Sequence, residues 1–329
     1  MRRLDVLLTI DVETWPRNWK QPLANFQEDH ERCVWGRTPH GEYGLDWQLQ
    51  VLARHGLRGV FFVEPLFAGA VGMEPLQRMV AAIIAANQEV QLHLHSEWLP
   101  WQHQPLLAEG RQGGRLHHFT QTEQRQLMDV GRSLLAECGA NKIVAFRAGS
   151  FGANQDTLLA ATQAGLSFDS SDNLCYRGGN CLIEETVDWQ GSTTAAGVVE
   201  MPVTCFMDRP GHWRPLQVTA CSLSEMRAML EQAWQQGWQR VVLLSHSFEC
   251  LNRQRSRPDP VVVNRFLGLC EFLEQEKDRF RTIGFDQLAD QVWSATTLQP
   301  LQSNLLRTFN RHLQQLFRSC WVDGGLGRG

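Results

Sequence analysis

Short apolar runs that stop abruptly at a polar or charged residue are what most constrain the fold of this 329-residue chain. Five of them read as strands: Leu4 to Ile10, Gly59 to Val63, Glu89 to Leu94, Lys142 to Phe146 and Val241 to Leu244. Most are separated by stretches with helical spacing. Leu45 to His55 sets Leu45, Leu49 and Leu52 on one face before a stop at Gly56, and Gln77 to Ala86 continues similarly. Ser224 to Gln236 carries Met226, Met229, Leu230 and Ala233, with Ser222 or Ser224 as cap and Gly237 as stop. This alternation predicts parallel strands covered by helices, as a barrel or a doubly wound sheet. In a parallel α/β barrel the carboxyl ends of all strands open on one side. The polar residues that follow the runs are therefore expected to converge: Asp11 and Glu13, His93 to Glu97, Arg147, and His246.

Composition narrows the function classes. With 43% hydrophobic and 20% charged residues and a net charge of −4, the chain is neither a disordered polymer nor a nucleic-acid binder. No stretch reaches the ~18 apolar residues of a membrane span, and the first apolar run is too short for a signal peptide. The expected location is the cytoplasm. Nine cysteines without a C-x-x-C pair read as reduced thiols, Cys175 and Cys181 being able to bridge only in an oxidising compartment. Toward the end, Leu298, Leu301, Leu305, Phe309, Leu313, Leu316 and Cys320 recur every three or four residues, predicting an amphipathic helix with Arg307, Arg311 and Arg318 and no acid before Asp323. Such a helix packs on its own domain or on another subunit, or lies on an anionic membrane at its inner face. The oligomeric state is not readable.

Four segments carry groups that can do chemistry. In TIDVET, Asp11 and Glu13 lie two apart after a strand, and in extended backbone both point to one face, where a cation would relieve their repulsion. EVQLHLHSEW places His93, His95 and Glu97 at alternate positions, a donor set suited to zinc and other first-row divalent ions. Continued strand geometry would put all three on one face, whereas a helical turn would pair His93 with Glu97. In AFRAGSF, Arg147 is followed by small residues that leave space for a ligand or a carboxylate, and beside Asp11 it would hold that acid ionised. In VVLLSHSFE, His246 ends an apolar strand and can protonate a leaving group near neutral pH. The loop RQRSRPDP (253 to 260) is expected near this site. Trp15, Trp19, Trp98, Trp101, Trp189 and Trp213, near the motifs, offer stacking faces for sugars or simply core.

Taken in order, these segments over residues 4 to 293 resemble the polysaccharide deacetylase family, also known as NodB-homology or carbohydrate esterase family 4 proteins. TIDVET is similar to the first motif, in a D-x-E branch, and implies Asp11 as general base and Glu13 as metal ligand. EVQLHLHSEW resembles the His-x-x-x-His motif, with Glu97 where the second histidine is usual; His93 and either His95 or Glu97 are then the other ligands. FRAGSF implies Arg147 as the residue that orients the base, and VVLLSH implies His246 as the catalytic acid. FDSSDN with Asp169 and VVEMPVT with Glu200 are similar to segments between these motifs. The resemblance implies a distorted (β/α) barrel of about seven parallel strands over residues 1–295, followed by the helix and tail of 296–329. It also implies a divalent metal, zinc first, with manganese, cobalt or iron as alternatives. The implied reaction is removal of N-acetyl groups from an amino-sugar-containing polysaccharide or lipid-linked saccharide. Hydrolysis of another amide, such as a formyl group, and non-catalytic saccharide binding are the competing expectations.

Overall fold

The computed structural model describes residues 2–108, 111–184, 189–288 and 298–323. In chain order its strands are β1 (Leu4–Val12), β2 (Arg37–Thr38), β3 (Gly41–Glu42), β4 (Gly59–Val63), β5 (Glu89–Leu94), β6 (Ala145–Ala148), β7 (Phe168–Asp169), β8 (Ser192–Thr193), β9 (Val199–Glu200), β10 (Cys205–Arg209), β11 (His212–Pro215), β12 (Arg240–His246), β13 (Phe280–Thr282) and β14 (Leu301–Gln302). Its α-helices are α1 (Phe26–Cys33), α2 (Leu45–Arg54), α3 (Ala68–Val71), α4 (Glu74–Ala85), α5 (Gln121–Glu137), α6 (Gln155–Gln163), α7 (Leu223–Gln236), α8 (Pro260–Gln275) and α9 (Leu305–Phe317). Two compact units result, one of residues 1–59, 205–282 and 299–329, the other of residues 60–204 and 283–298.

The first unit is built on β1, which is buried over all nine residues and pairs in parallel with β12 and with β13. A strand buried on both faces needs the unbroken apolar run that Val6 to Ile10 provides, apart from Thr9, whose hydroxyl donates to the Leu243 carbonyl at 2.8 Å. Helix α7 starts as its sequence predicts. Ser222 Oγ accepts from the Glu225 amide while Glu225 accepts from the Ser222 amide at 2.8 Å, and Gly237 at φ 88° closes the other end.

The C-terminal helix differs from its sequence pattern. Leu301 extends the apolar period but lies in β14, paired in parallel with Phe206 of β10, so the helix begins only at Leu305. Asn304 sets that boundary, its side chain accepting from the Arg307 amide at 2.9 Å. The polar side of α9 faces inward. Arg311 is completely buried, its guanidinium held by Asp208 at 2.6 Å and Glu225 at 3.1 Å, and Thr308 donates to the Asp208 carbonyl. The apolar side faces outward, with Leu305 76%, Leu306 80% and Phe309 61% exposed.

In the second unit the strand order is β4-β5-β6-β7-β9-β8, parallel except for the last pair. β6 starts at Ala145 rather than at Lys142 because the amides of Val144 and Ala145 bond to the Gln91 side-chain oxygen at 2.8 and 2.7 Å. Asp169 and Glu200 are register partners on β7 and β9 and are completely buried. Burial raises both carboxyls, Glu200 well above its ordinary range because the Asp169 charge adds to it, so the pair holds a proton. Trp98 is fully buried against Phe67 and is core, not a sugar platform.

The ion-paired foot of α9 yields a stability prediction. Arg311→Ala leaves Asp208 and Glu225 buried without their shared cation, and should cost about 3 kcal/mol in urea unfolding followed by tryptophan fluorescence. An unchanged midpoint would contradict the buried pairing.

Candidate functional site

At the carboxyl end of the first unit's parallel pair, register puts Asp11 of β1 directly beside His246 of β12. The Ser247 amide donates to the Asp11 carbonyl at 3.0 Å, carrying the alignment one residue past the strand. His246 Nε2 lies 3.8 Å from Asp11 Oδ2, while its Nδ1 is 2.8 Å from Glu249 Oε1. Glu249 also accepts from the Ser245 hydroxyl at 3.3 Å and from the Gln217 side-chain amide. Burial works against a charged imidazole here, but the Glu249 hydrogen bond and charge, with Asp11 and Glu13, outweigh it and raise His246 to about 9. This unit therefore brings together a carboxylate and an imidazolium. Glu13, just past the end of β1, is buried as well.

The corresponding end of the second unit holds the histidines and the arginine. His93 is in register with Arg147, and His93 Nδ1 lies 2.8 Å from the Arg147 carbonyl. A carbonyl can only accept, so Nδ1 carries a proton and Nε2 is the nitrogen that can ligate. The chain turns into a single 3₁₀ segment at Ser96–Trp101, which ends the alternation expected through Glu97. Glu97 consequently meets His95 rather than His93, with His95 Nδ1 3.2 Å from Glu97 Oε2, and Arg115 bonds the other carboxylate oxygen at 3.2 Å. Burial pushes the Glu97 carboxyl up, but His95 and Arg115 more than offset this and hold it below its ordinary value. With Nδ1 turned to the Glu97 carboxylate, Nε2 is the nitrogen that His95 has to offer a ligand. The two rings sit 4.9 Å apart at 80°.

The small residues after Arg147 do leave space, and His95 fills it. A Cβ on Gly149 would come within 2.7 Å of His95 Nδ1 and 2.6 Å of the Leu94 carbonyl. Ser150 and Phe151 follow at φ 52° and 58°, a left-handed turn that carries the chain away from the imidazole. The Arg147 side chain is fully buried, bonded to the Ser170 carbonyl and hydroxyl at 3.1 and 3.0 Å and lying 4.3 Å over the Phe62 ring. Sequence reasoning assigned no role to Glu249 or Arg115. Glu249 had a signal, an acid three residues after the histidine in SHSFE, whereas Arg115 is distant in sequence from Glu97 and had none.

No family model matches the sequence, and no curated protein matches it. Among solved structures, a Mycobacterium smegmatis protein described as a polysaccharide deacetylase aligns over 91% of this chain and 94% of its own, with 18% identity and a TM-score of 0.57. The chain has the polysaccharide-deacetylase fold. This is the α/β, NodB-homology fold that the strand and motif order implied. A 4-α-glucanotransferase from Thermococcus litoralis aligns over 91% of the chain and 42% of its own length at 9% identity and TM-score 0.52. A family 4 carbohydrate esterase from Streptomyces lividans aligns over 90% and 100% at 12% identity and TM-score 0.43.

His246 provides a direct test of this electrostatic arrangement. Its stabilising shift is present in full below the unfolded value near 6.5 and is lost as pH rises through about 9. NMR titration of the metal-free protein should find the imidazole midpoint near 9 in wild type and clearly lower in Glu249→Gln. Equal midpoints would contradict the role of Glu249.

Proposed function

We propose that this chain is a metal-dependent hydrolase that removes N-acetyl groups from an amino-sugar-containing saccharide. The observation that carries the reading is the engagement of Nδ1 in both His93 and His95, which turns Nε2 of each into the ligating nitrogen, as metal-binding histidines require. Glu13, His93 and His95, each buried, are the ligands assigned in this reading from the order of the motifs. Two imidazoles and a carboxylate are a fitting donor set for zinc, with manganese, cobalt or iron as alternatives. In this assignment Glu97 orients His95 from outside the ligand set.

When bound, a divalent ion polarises the amide carbonyl and lowers the pKa of the attacking water. Asp11 accepts the proton of that water as general base, and Arg147 is assigned to keep Asp11 ionised. His246, charged at neutral pH, hands its proton to the departing amine, while Glu249 stabilises the imidazolium and fixes its tautomer. Among the tryptophans, Trp15 and Trp19, which meet edge to face at 5.3 Å and are partly exposed, are placed in this reading as sugar-stacking faces.

The outward face of α9 extends the proposal to location. Helix α9 is about 20 Å long, enough to lie in a bilayer interface, and presents Leu305, Leu306, Phe309, Leu313, Leu316 and Phe317 to solvent. It carries no acid, Arg307 and the exposed Arg209 stand near its start, and the exposed Arg253 and Arg257 stand near its end. Antiparallel pairing with a second copy would oppose these cations, so an anionic lipid surface is the occupant proposed. That position would suit a lipid-linked substrate.

Two measurements test the reading. Acetate release from N-acetylglucosamine oligomers by the zinc- or manganese-loaded protein should fall 10²- to 10⁴-fold in Asp11→Asn, and Glu97→Gln should weaken metal affinity roughly 10- to 100-fold. Failure of every acetylated saccharide, with turnover of a formyl amide, would replace the substrate class. For the helix, the full chain should float with phosphatidylglycerol vesicles but not phosphatidylcholine vesicles, and Phe309→Glu with Leu313→Glu should abolish flotation. Equal flotation of wild type and variant, or a dimer that this variant dissociates, would reject the membrane surface.

A further inference from the structure

A cavity of ≈ 660 Å³ opens beside His246 and is lined wholly by residues of the first unit, including Arg253 and Arg255 from the loop after β12 and Arg318 from the turn that continues α9. The loop is tied in place. Asn252 Oδ1 accepts from the amides of Ser256 and Arg257, the Arg257 guanidinium bonds the Val322 carbonyl, and the Arg253 amide donates to Asp323 at 2.8 Å. Within it Arg255 adopts φ 54°, a left-handed conformation that a long side chain rarely takes. Its guanidinium lies 3.9 Å over the Phe248 ring and donates to the Trp15 carbonyl at 3.2 Å. Arg318 is held by one nitrogen only, Nε to Asp259 Oδ2 at 2.5 Å. The Arg253 guanidinium makes no hydrogen bond with a described residue.

Charge in the cavity does not cancel. Of the two acids that line it, Glu249 is answered by His246, and Asp323, which accepts from the Arg253 amide, keeps its charge; Asp259, outside the lining, answers Arg318. Three arginines are therefore set against Asp323 in the lining and Asp259, the partner of Arg318, which leaves positive charge in excess. A neutral sugar needs no such group, whereas phosphate and carboxylate oxygens match the guanidinium fork.

We propose that this cavity is an anion subsite in which Arg253, Arg255 and Arg318 bind a phosphate or carboxylate group carried by the saccharide. The inference rests on the deacetylase reading for its saccharide, and it adds that the substrate is anionic close to the amide being cleaved.

Calorimetric binding to the full, metal-stripped chain tests this without turnover. The probes are N-acetylglucosamine 1-phosphate, an N-acetylglucosamine–glucuronate disaccharide and neutral N-acetylglucosamine. At least one anionic probe should bind about tenfold or more tightly than the neutral sugar. Which one does so tells phosphate from carboxylate. Arg253→Ala, at an exposed position that folding does not need, should reduce this preference several-fold, and Arg253→Ala with Arg318→Gln should abolish it, while Arg253→Lys retains part. Equal binding of all three sugars by wild type, or a preference unchanged in both Ala-containing variants, would overturn the subsite. Failure of the deacetylase reading would show instead as absent acetate release with the anion preference intact.

Discussion

Parallel pairing restricts where this chain can place its chemistry, because a strand buried on both faces admits a polar side chain within its run only when it is hydrogen-bonded there, as Thr9 and Gln91 are, and leaves its reactive groups to the end of the run. In the first unit that constraint sets Asp11 beside His246 through register alone, and in the second it sets His93 beside Arg147. Residues far apart in sequence thus meet without any local signal linking them. The hydrogen bonds at these strand ends then do the finer work. The Arg147 backbone carbonyl decides which nitrogen of His93 carries its proton, and Glu97 does the same for His95.

Buried charge is handled by the same logic throughout. His246 remains protonated in a half-buried setting because Glu249 sits 2.8 Å away, and Arg311 occupies the foot of α9 because Asp208 and Glu225 meet it there. Asp169 and Glu200, two acids paired in register, hold a proton instead. Each case answers the desolvation cost differently, the first two with an opposite charge and the third with a proton held between two carboxyls.

Much of the fold was readable because β1, β4, β5 and β12 announce themselves as apolar runs and α7 carries both of its end signals. What was not readable depends on distant partners. The start of β6 is displaced by a side chain, Gln91, more than fifty residues away, and the C-terminal helix loses its first turn because Leu301 finds a partner in Phe206. The inverted orientation of α9 was hidden for the same reason: its spacing shows two faces, but Asp208 and Glu225 decide which one is buried. At the candidate site the seven residues singled out by pattern all lie at or just past strand ends. Their division of labour was not visible, since whether Glu97 ligates or orients depends on the turn that begins at Ser96.

The central claim is that His93 and His95, whose Nδ1 atoms are engaged by the Arg147 carbonyl and by Glu97, offer Nε2 to a divalent ion. Elemental analysis of the purified protein, after loading with zinc and removal of excess, tests it most directly. Wild type should retain one ion per chain, and both His93→Ala and His95→Ala should lose it. Full occupancy in either variant would contradict the account.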